Sequence, residues 1–349
     1  MPKKKSYNNE PLPFKLLKDF AKAYPQVWEY CDKFQNGENG LPQWNNLCQI
    51  PIAATFAVMD MYPKTTINAG TFSAECAALY SWRKFKEIYS FDENLSAMLM
   101  EQADDIEIPL DVLYSLPYPC IWIQATKETG LFVWFEDDIN THIMELRMLV
   151  ISDDGTTTNL MLHLKQGWTI SDGVKDAVLL AEKFLNDSEL QKQSAEYGMA
   201  INPKYKEEIK YNFYTEQYRM ISQYIQLVLY ICAENKDVQE NEEQKAITSR
   251  PANSSQPKDV YREIRKWDVG YRIGNAIRKY DAEKQRQGIT HEGTSRSNTK
   301  RPHTRKGHYH HYWIGSKKDD SRRIILKWVA PMFINGDEDD IIPTQHNVK

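Results

Sequence analysis

The sequence lacks most of the short motifs that identify common enzyme classes. It contains no P-loop, no GxGxxG or GxSxG segment, no HExxH helix and no CxxC pair. Each of these motifs supplies a specific chemical device, such as a phosphate-binding loop or a pair of metal ligands. Their absence leaves ordinary nucleotide hydrolysis, dehydrogenation and zinc proteolysis without support.

Cysteine is scarce, and long apolar runs are missing. The five cysteines are scattered and odd in number, which indicates reduced, mostly buried thiols in a cytoplasmic protein. The lysines near the N-terminus are followed by no apolar segment, so no secretion signal is expected. The most apolar helical run, ISQYIQLVLYICA, is too short and too polar to span a bilayer. The sequence therefore predicts a soluble protein with no membrane partner.

Charge is divided unevenly along the chain. The formal net charge is −4, yet residues 258–330 hold 19 Lys or Arg against 8 Asp or Glu, a balance of +11 that leaves −15 elsewhere. The hydrophobic fraction of 41% is enough for a true core, so the acidic part is expected to fold. A basic segment joined to an acidic region predicts that only the basic part contacts a polyanion.

Hydrophobic periodicity predicts helices on either side of a block of strands. Helical spacing marks residues 11–34, residues 49–62 and a helix capped by Ser73, and further helices are expected near Ser171 and Pro203. Four strand-like segments separated by short turns lie between them: CIWIQAT, LFVWFED, THIMELRMLVIS and TNLMLHLKQ. Such spacing predicts an antiparallel meander rather than a parallel βαβ sheet. The predicted fold class is α+β, with helices packed on an antiparallel β-meander, followed by a basic helix and a β-hairpin.

Composition divides the chain into four parts. Residues 1–235 are predicted to form an α+β domain, and residues 236–257, which lose their hydrophobic side chains, a linker or mobile loop. Residues 258–336 form the basic helix and hairpin module, and residues 337–349 an acidic tail. Two domains agree with the length of 349 residues.

The stretch from Thr299 to Asn335 holds four of the eight histidines: His303, His308, His310 and His311. The aromatic-rich segment GHYHHYW, which lies between Gly307 and Gly315, predicts a strand. RRIILKWV predicts a second strand, and Pro331 ends it because proline cannot donate to a ladder. A basic, histidine-bearing hairpin follows from this pattern.

Alternation across the first strand of the hairpin sorts its side chains into two sets. His308, His310 and Tyr312 are expected on one face, and Tyr309, His311 and Trp313 on the other. Cations interleaved with aromatic rings are typical of nucleic-acid contact, because Lys and Arg bind phosphate and bases stack on aromatic side chains. The residues that we expect to bind nucleic acid are Arg272, Arg278, Lys279, Arg301, Arg305, Lys306, Tyr309, Trp313, Arg322, Arg323 and Lys327.

The histidines of the hairpin leave three roles open. His308 and His310 could ligate a metal with His303, act as a general acid and base on RNA, or only bind and stack. Few carboxylates accompany them, so we predict no metal site and no cofactor. His142 and His163, each alone in the predicted meander, are assigned no role.

The C-terminal segments WDVGYRIGNAIR, KRPHTRKGHYHHYWIG and LKWVAPMFIN resemble a type V-A anti-CRISPR family carried by phages, plasmids and other mobile elements. Weaker similarity extends upstream through LYSWRKFKEIYSFDENL and QYIQLVLYICAENKDV, so the resemblance covers most of the chain. The matching positions are Gly270, Gly274, Arg301, Pro302, His303, Arg305, Gly307, His308, His310, Trp313, Gly315, Trp328, Pro331 and Asn335.

This resemblance implies a function and a set of partners. Members of the family block biogenesis of the type V-A CRISPR effector nuclease: they engage its N-terminal polypeptide during translation, and its mRNA is lost. The implied partners are that nascent polypeptide, the mRNA or ribosome, and host RNA decay factors, all in the cytoplasm of a bacterial host. Residues 1–235 would then be the target-recognition domain.

Three functional hypotheses follow. The protein is a non-enzymatic adaptor that binds peptide and RNA, a ribonuclease that uses His303, His308 or His310, or a nucleic-acid-binding regulator of a mobile element. Cleavage of a transcript by the purified protein, in metal-free buffer and without host factors, distinguishes the ribonuclease from the other two.

Overall fold

A computed structural model gives the architecture of most of the chain. It describes residues 10–38, 40–65, 67–102, 107–139, 141–189, 191–192, 206–241, 264–288, 303–305, 307–316, 318, 322–330 and 332–334. The predicted acidic tail, residues 337–349, and residues 242–257 of the predicted linker lie outside these ranges.

Helices and strands occupy most of the described residues. The α-helices are α1 Leu12–Ala23, α2 Val27–Gln35, α3 Ile52–Met59, α4 Ala69–Phe85, α5 Glu93–Glu101, α6 Ile170–Asn186, α7 Lys206–Cys232 and α8 Tyr271–Gly288. The strands are β1 Glu87–Phe91, β2 Cys120–Gln124, β3 Thr129–Asp137, β4 Met144–Ser152, β5 Thr157–His163, β6 Val238–Glu240, β7 Arg265–Val269, β8 His303–Arg305, β9 His308–Ile314, β10 Arg323–Val329 and β11 Met332–Ile334.

A seven-stranded sheet with the order β5-β4-β3-β2-β1-β7-β6 forms the centre of the fold. Its strands β2 to β5 pair antiparallel with their neighbours in sequence, so the predicted meander is confirmed. Short turns such as the one at Gly155, whose φ of +81° favours glycine, join these strands. The α+β class is confirmed.

The sheet is nevertheless mixed, because β1 pairs parallel with both β2 and β7. The predicted meander did not include β1, which adds these two parallel pairings. All five residues of β1 are buried, so its sequence, EIYSF, shows no clear alternation between apolar and polar residues. Residues 265–269 form β7, and α8, the predicted basic helix, begins only after Gly270.

Helices cover the sheet on both faces and create two hydrophobic cores. Alternate residues of β3 show the division, since Val133 enters one core and Trp134 the other. Helices α1 to α4 pack on the Trp134 side, and α5 to α8 pack on the Val133 side. The predicted helices therefore exist, and both faces of the sheet are buried.

Local capping fixes the helix ends and corrects two predictions. Helix α4 begins at Ala69 because the side chain of Asn68 accepts the backbone N–H groups of Gly70 and Thr71, whereas Ser73 is buried inside the helix. The predicted helix over residues 11–34 is interrupted between α1 and α2 at Gln26, whose φ is +66°.

The predicted boundary after residue 235 does not separate two sheets. Strand β6 lies within the predicted linker, and β7 lies within the predicted C-terminal module, yet both belong to the seven-stranded sheet. The division of the chain at this boundary stays a prediction, and the sheet that spans the boundary is the observation that bears on it.

Candidate nucleic-acid interface on the C-terminal hairpin

Strands β9 and β10 form a two-stranded antiparallel sheet, the hairpin that the sequence predicted. In its register, His308 lies opposite Val329, and His310 lies opposite Lys327. Because directly paired residues point to the same face, Lys327 shares a face with His308 and His310. We call this the outer face.

The other face of the hairpin packs against the protein. Leu326 and Trp328 are buried in the core, and the ring of Trp328 lies 5.3 Å from that of Tyr230 of α7. The half-buried Tyr309 donates its hydroxyl hydrogen to the backbone oxygen of Gln226, 2.8 Å away. Burial raises the pKa of the Tyr309 hydroxyl well above its ordinary value.

The end of α7 provides a second attachment. The side chain of Asn235 accepts the backbone N–H of Trp328 at 2.9 Å and donates to its carbonyl oxygen at 2.7 Å. The backbone N–H of Glu234 donates to the oxygen of Leu326 at 2.9 Å. These bonds fix β10 to the protein along its length, so the outer face is held in one orientation.

The outer face displays a row of rings. The imidazoles of His308 and His310 lie 4.7 Å apart, and their Nε2 atoms are 2.9 Å apart. The ring of Tyr312 follows at 6.2 Å from His310, and 48% of this residue is exposed. Lys327 is exposed on the neighbouring strand. The predicted alternation of His308, His310 and Tyr312 against Tyr309 and Trp313 is confirmed by the register.

The turn end of the hairpin adds an aromatic residue and two arginines. Trp313 is 45% exposed, and the guanidinium of Arg322 lies 4.5 Å above its ring. Such stacking pre-orders an arginine and leaves its N–H groups available for phosphate. Arg323 is exposed and lies 3.8 Å from Glu234.

Two arginines of helix α8, Arg272 and Arg278, are held by carboxylates. Arg272 donates to Asp237 at 2.7 Å, and Arg278 donates to Asp92 at 2.8 Å. Lys279 is exposed. The two arginines that were predicted to bind phosphate therefore attach α8 to its neighbours.

Two glycines permit the close packing of α8 on α5. A Cβ at Gly274 would lie 2.0 Å from Oδ1 of Asp92, and one at Gly270 would lie 2.0 Å from Cδ2 of Leu95. Gly270 also has a φ of +74°, which glycine adopts without strain. Both positions therefore require glycine.

Four other predicted site residues either lie outside the described ranges or have only their backbone described. Arg301 and Lys306 lie outside the described residues. His303 and Arg305 belong to β8, which pairs antiparallel with β11, and only the backbone of this strand is described.

The remaining histidines and acids do not form a metal centre in the part of the chain that the structure describes, where no group of three His, Cys, Asp or Glu residues has suitable geometry. His163 bonds Asp176 through Nδ1 at 2.6 Å and Glu145 through Nε2 at 3.2 Å. Hydrogen bonding to Glu145 raises the pKa of His163. His142 is exposed, with its Nδ1 3.8 Å from Asp137. Within the same ranges, no helix is long and apolar enough to cross a membrane.

A match to a known protein family shows which family this chain belongs to. The model of the anti-CRISPR type V subtype A2 family, described as AcrVA2-like, matches residues 89–336, which run from β1 to the end of the hairpin region. The chain belongs to this anti-CRISPR family. The family membership supports an anti-CRISPR function directed at type V-A systems.

Two further proteins are similar to this chain over most of its length. Protein FinQ of Escherichia coli is 22% identical over 273 residues, which cover 75% of this chain and 76% of FinQ. The crystal structure of AcrVA2 superposes with a TM-score of 0.55 at 16% identity, covering 92% of this chain and 98% of AcrVA2. At this identity the superposition shows a shared fold.

Proposed function

We propose that this anti-CRISPR protein prevents production of the type V-A effector nuclease. In this proposal it binds the nascent N-terminal polypeptide of the effector in the bacterial cytoplasm, contacts the mRNA or the ribosome, and causes loss of the mRNA. It acts as an adaptor that recruits host RNA decay factors. Family membership supports the target system, and the hairpin supports the contact with RNA.

The observation that carries the RNA contact is the construction of the hairpin. One face is fixed to α7 through Tyr309 and Trp328, and the outer face presents His310, Tyr312 and Lys327 to solvent. An immobile row of exposed rings beside cations can stack bases and neutralise phosphates, and stacking contributes about 1–3 kcal/mol per base.

The positions of the exposed cations indicate which part of the protein surface contacts RNA in this proposal. Arg322 at the turn and Lys327 on β10 are exposed, whereas Arg272 and Arg278 are bound to carboxylates. Tyr309 is equally unsuited to stacking because its hydroxyl is bonded inside the protein. The proposed RNA contact therefore includes Trp313 and the outer face, and it excludes Arg272 and Arg278 of α8.

A charge-removal experiment tests this contact. The variant Arg322→Ala/Lys327→Ala is expected to weaken binding to RNA or ribosomes. It should also reduce the slope of log K against log salt by about 1.4, since each lost phosphate contact with a single strand contributes ~0.7. The matched control is Lys175→Ala/Lys183→Ala, which removes two exposed cations from α6. The control should retain the affinity and slope of the wild type.

The results of these binding measurements distinguish the candidate functions. Equal binding and an equal salt slope for both variants would place the RNA contact elsewhere on the protein. Preference for duplex DNA over single-stranded RNA would favour the nucleic-acid-binding regulator of a mobile element. In cells, mRNA levels of the effector should recover in the hairpin variant and stay low in the control.

The ribonuclease hypothesis rests on the pair formed by His308 and His310. Their Nε2 atoms are close enough to share a proton, and Lys327 lies directly across the ladder. A catalytic pair requires an imidazole that donates and accepts a proton, so His308→Gln would inactivate a nuclease. A binding role needs only hydrogen bonding, and we expect His308→Gln to retain much of the activity. RNA cleavage by the purified protein in metal-free buffer decides between them.

A further inference from the structure

A cavity of about 290 Å³ opens on the side of the sheet opposite to the hairpin. It lies between helices α1 and α4 and the end of the meander formed by β3, β4 and β5. Its volume is at the lower end of the range of about 300–1,000 Å³ for ligand pockets. This volume suits one or two large side chains of a partner.

The walls of the cavity are apolar and aromatic. Phe20 comes from α1, and Tyr24 follows directly after that helix. Leu79 comes from α4, and Phe132 and Ile151 come from the sheet. The ring centroids of Phe20 and Tyr24 are 4.7 Å apart, so this wall is a packed aromatic pair. Such a lining favours a bulky apolar group.

Two carboxylates also line the cavity. Asp19 is exposed at its edge, and Glu75 is partly buried on α4. Among the residues that the structure describes, no cation pairs with Glu75, and burial alone raises the pKa of its carboxyl group. Asp153 and Asp154 stand in the turn beside Gly155, which also lines the cavity. The environment thus lacks the positive charge that would stabilise Glu75 in its ionised form.

We propose that this cavity binds a polypeptide segment in which a bulky apolar residue stands next to a lysine or arginine. The apolar side chain enters between Phe20 and Phe132, and the cation pairs with Glu75 and Asp19. Charge complementarity and apolar lining together specify this occupant. The inference deepens the proposed function and rests on it only for the identity of the polypeptide.

The position of the cavity favours a polypeptide over a small amine. Thr157, which lines the cavity, belongs to β5, and β5 is the edge strand of the seven-stranded sheet in the described residues. An edge strand offers backbone N–H and C=O groups to an extended chain, while alternate side chains of that chain enter neighbouring pockets. A peptide can therefore use both features at once.

The two surfaces lie on opposite sides of the sheet. The cavity is formed by residues of the core beneath α1 to α4, and the hairpin packs on the core beneath α5 to α8. A peptide in the cavity and RNA on the hairpin would not compete for space. An adaptor that binds a peptide and RNA at the same time requires two separate surfaces of this kind.

Four labelled peptides with otherwise identical sequences test the proposal by fluorescence anisotropy. They combine a central Phe or Ser with flanking Lys or Glu residues. The Phe–Lys peptide is expected to bind best, and Glu75→Gln should weaken its binding by about tenfold because a partly buried charge pair is lost. The control Glu182→Gln removes an exposed carboxylate from α6 and should bind as the wild type does.

Asp19→Lys provides a second variant, because Asp19 is exposed and its replacement should leave the fold intact. Weaker binding of the Phe–Lys peptide to Asp19→Lys supports the cavity even if Glu75→Gln does not fold. Unchanged binding by folded Glu75→Gln, or equal binding of the Phe–Glu peptide, overturns the proposal. The hairpin variant Arg322→Ala/Lys327→Ala should bind the Phe–Lys peptide normally, so failure of the cavity and failure of the RNA contact are distinguishable.

Discussion

The hydroxyl of Tyr309 donates to the backbone oxygen of Gln226, which lies 83 residues earlier in the chain. This bond joins the hairpin to the C-terminal part of α7 and sets which face of β9 is turned outward. The row of His308, His310 and Tyr312 is therefore presented by a fixed element and not by a mobile loop.

Two tyrosines of the same strand provide a matched test of this arrangement. Tyr309→Ala should lower the free energy of unfolding by about 2 kcal/mol or more, because it removes a ring from the core and leaves a cavity. Tyr312→Ala should change it by less than about 0.5 kcal/mol, since Tyr312 is on the outer face. Urea unfolding measures both. Similar losses for the two variants would contradict the observed orientation of the strand.

The same two variants should differ in the opposite way in RNA binding: Tyr312→Ala should lose more affinity than Tyr309→Ala. Tyr312→Ala removes an exposed ring that can stack on a base, so its affinity should fall while its stability does not. A folded Tyr312→Ala with unchanged affinity would remove this ring from the proposed contact.

Two glycines with the same backbone conformation test the packing of α8 on α5. Gly37 and Gly270 have φ values of +75° and +74°, but only Gly270 faces a close neighbour, the buried Leu95. Gly37→Ala should cost about 1 kcal/mol for a left-handed backbone. Gly270→Ala should cost a further ~1–3 kcal/mol, because the core must move to admit the methyl group. Thermal unfolding gives the comparison, and equal losses would show that the contact with Leu95 relaxes freely.

The carboxyl group of Glu136 makes stability depend on pH. Burial raises its pKa to about 8, against an ordinary value of 4.5, while nearby Arg147 acts in the opposite direction. The folded protein therefore holds a proton that the unfolded chain releases between these values. The stabilisation is complete below the unfolded pKa and is lost as the pH rises through the folded pKa.

Glu136→Gln keeps an acceptor for the backbone N–H of Ile52, which lies 2.5 Å from Oε1 of Glu136, but it does not titrate. The variant should gain stability relative to the wild type between pH 6 and pH 9, by roughly 3 kcal/mol, since each of the two pH units below the folded pKa contributes about 1.4 kcal/mol. Urea unfolding at both pH values measures the difference. A difference that does not change with pH would show that Glu136 is ionised throughout.

Much of the hairpin could be predicted because its signal is local. Alternation in GHYHHYW follows from strand geometry alone, and burial of Leu326 and Trp328 follows from the apolar side of RRIILKWV. The partners of individual residues could not be predicted. That Arg278 meets Asp92, or that Tyr309 meets Gln226, depends on how distant elements pack.

Strands β1 and β7 were not predicted, because their pairing also depends on how distant elements pack. β1 is buried on both faces, so its sequence gives no alternation, and β7 is recognisable only from its position beside β1. The cavity was also invisible in the sequence. Asp19, Glu75 and Thr157 belong to three separate elements, and only the folded chain brings them to one place.

The parallel pairing of β1 with β7 has a consequence for synthesis of the protein. β1 lies in the interior of the sheet, and the strand on one of its sides comes from residues 265–269, far later in the chain. Until that part has left the ribosome, the inner edge of β1 has unsatisfied backbone groups, and such edges promote aggregation. Long-range pairing of this kind also slows folding. Premature termination before residue 265 should therefore produce an aggregating fragment and not a smaller inhibitor.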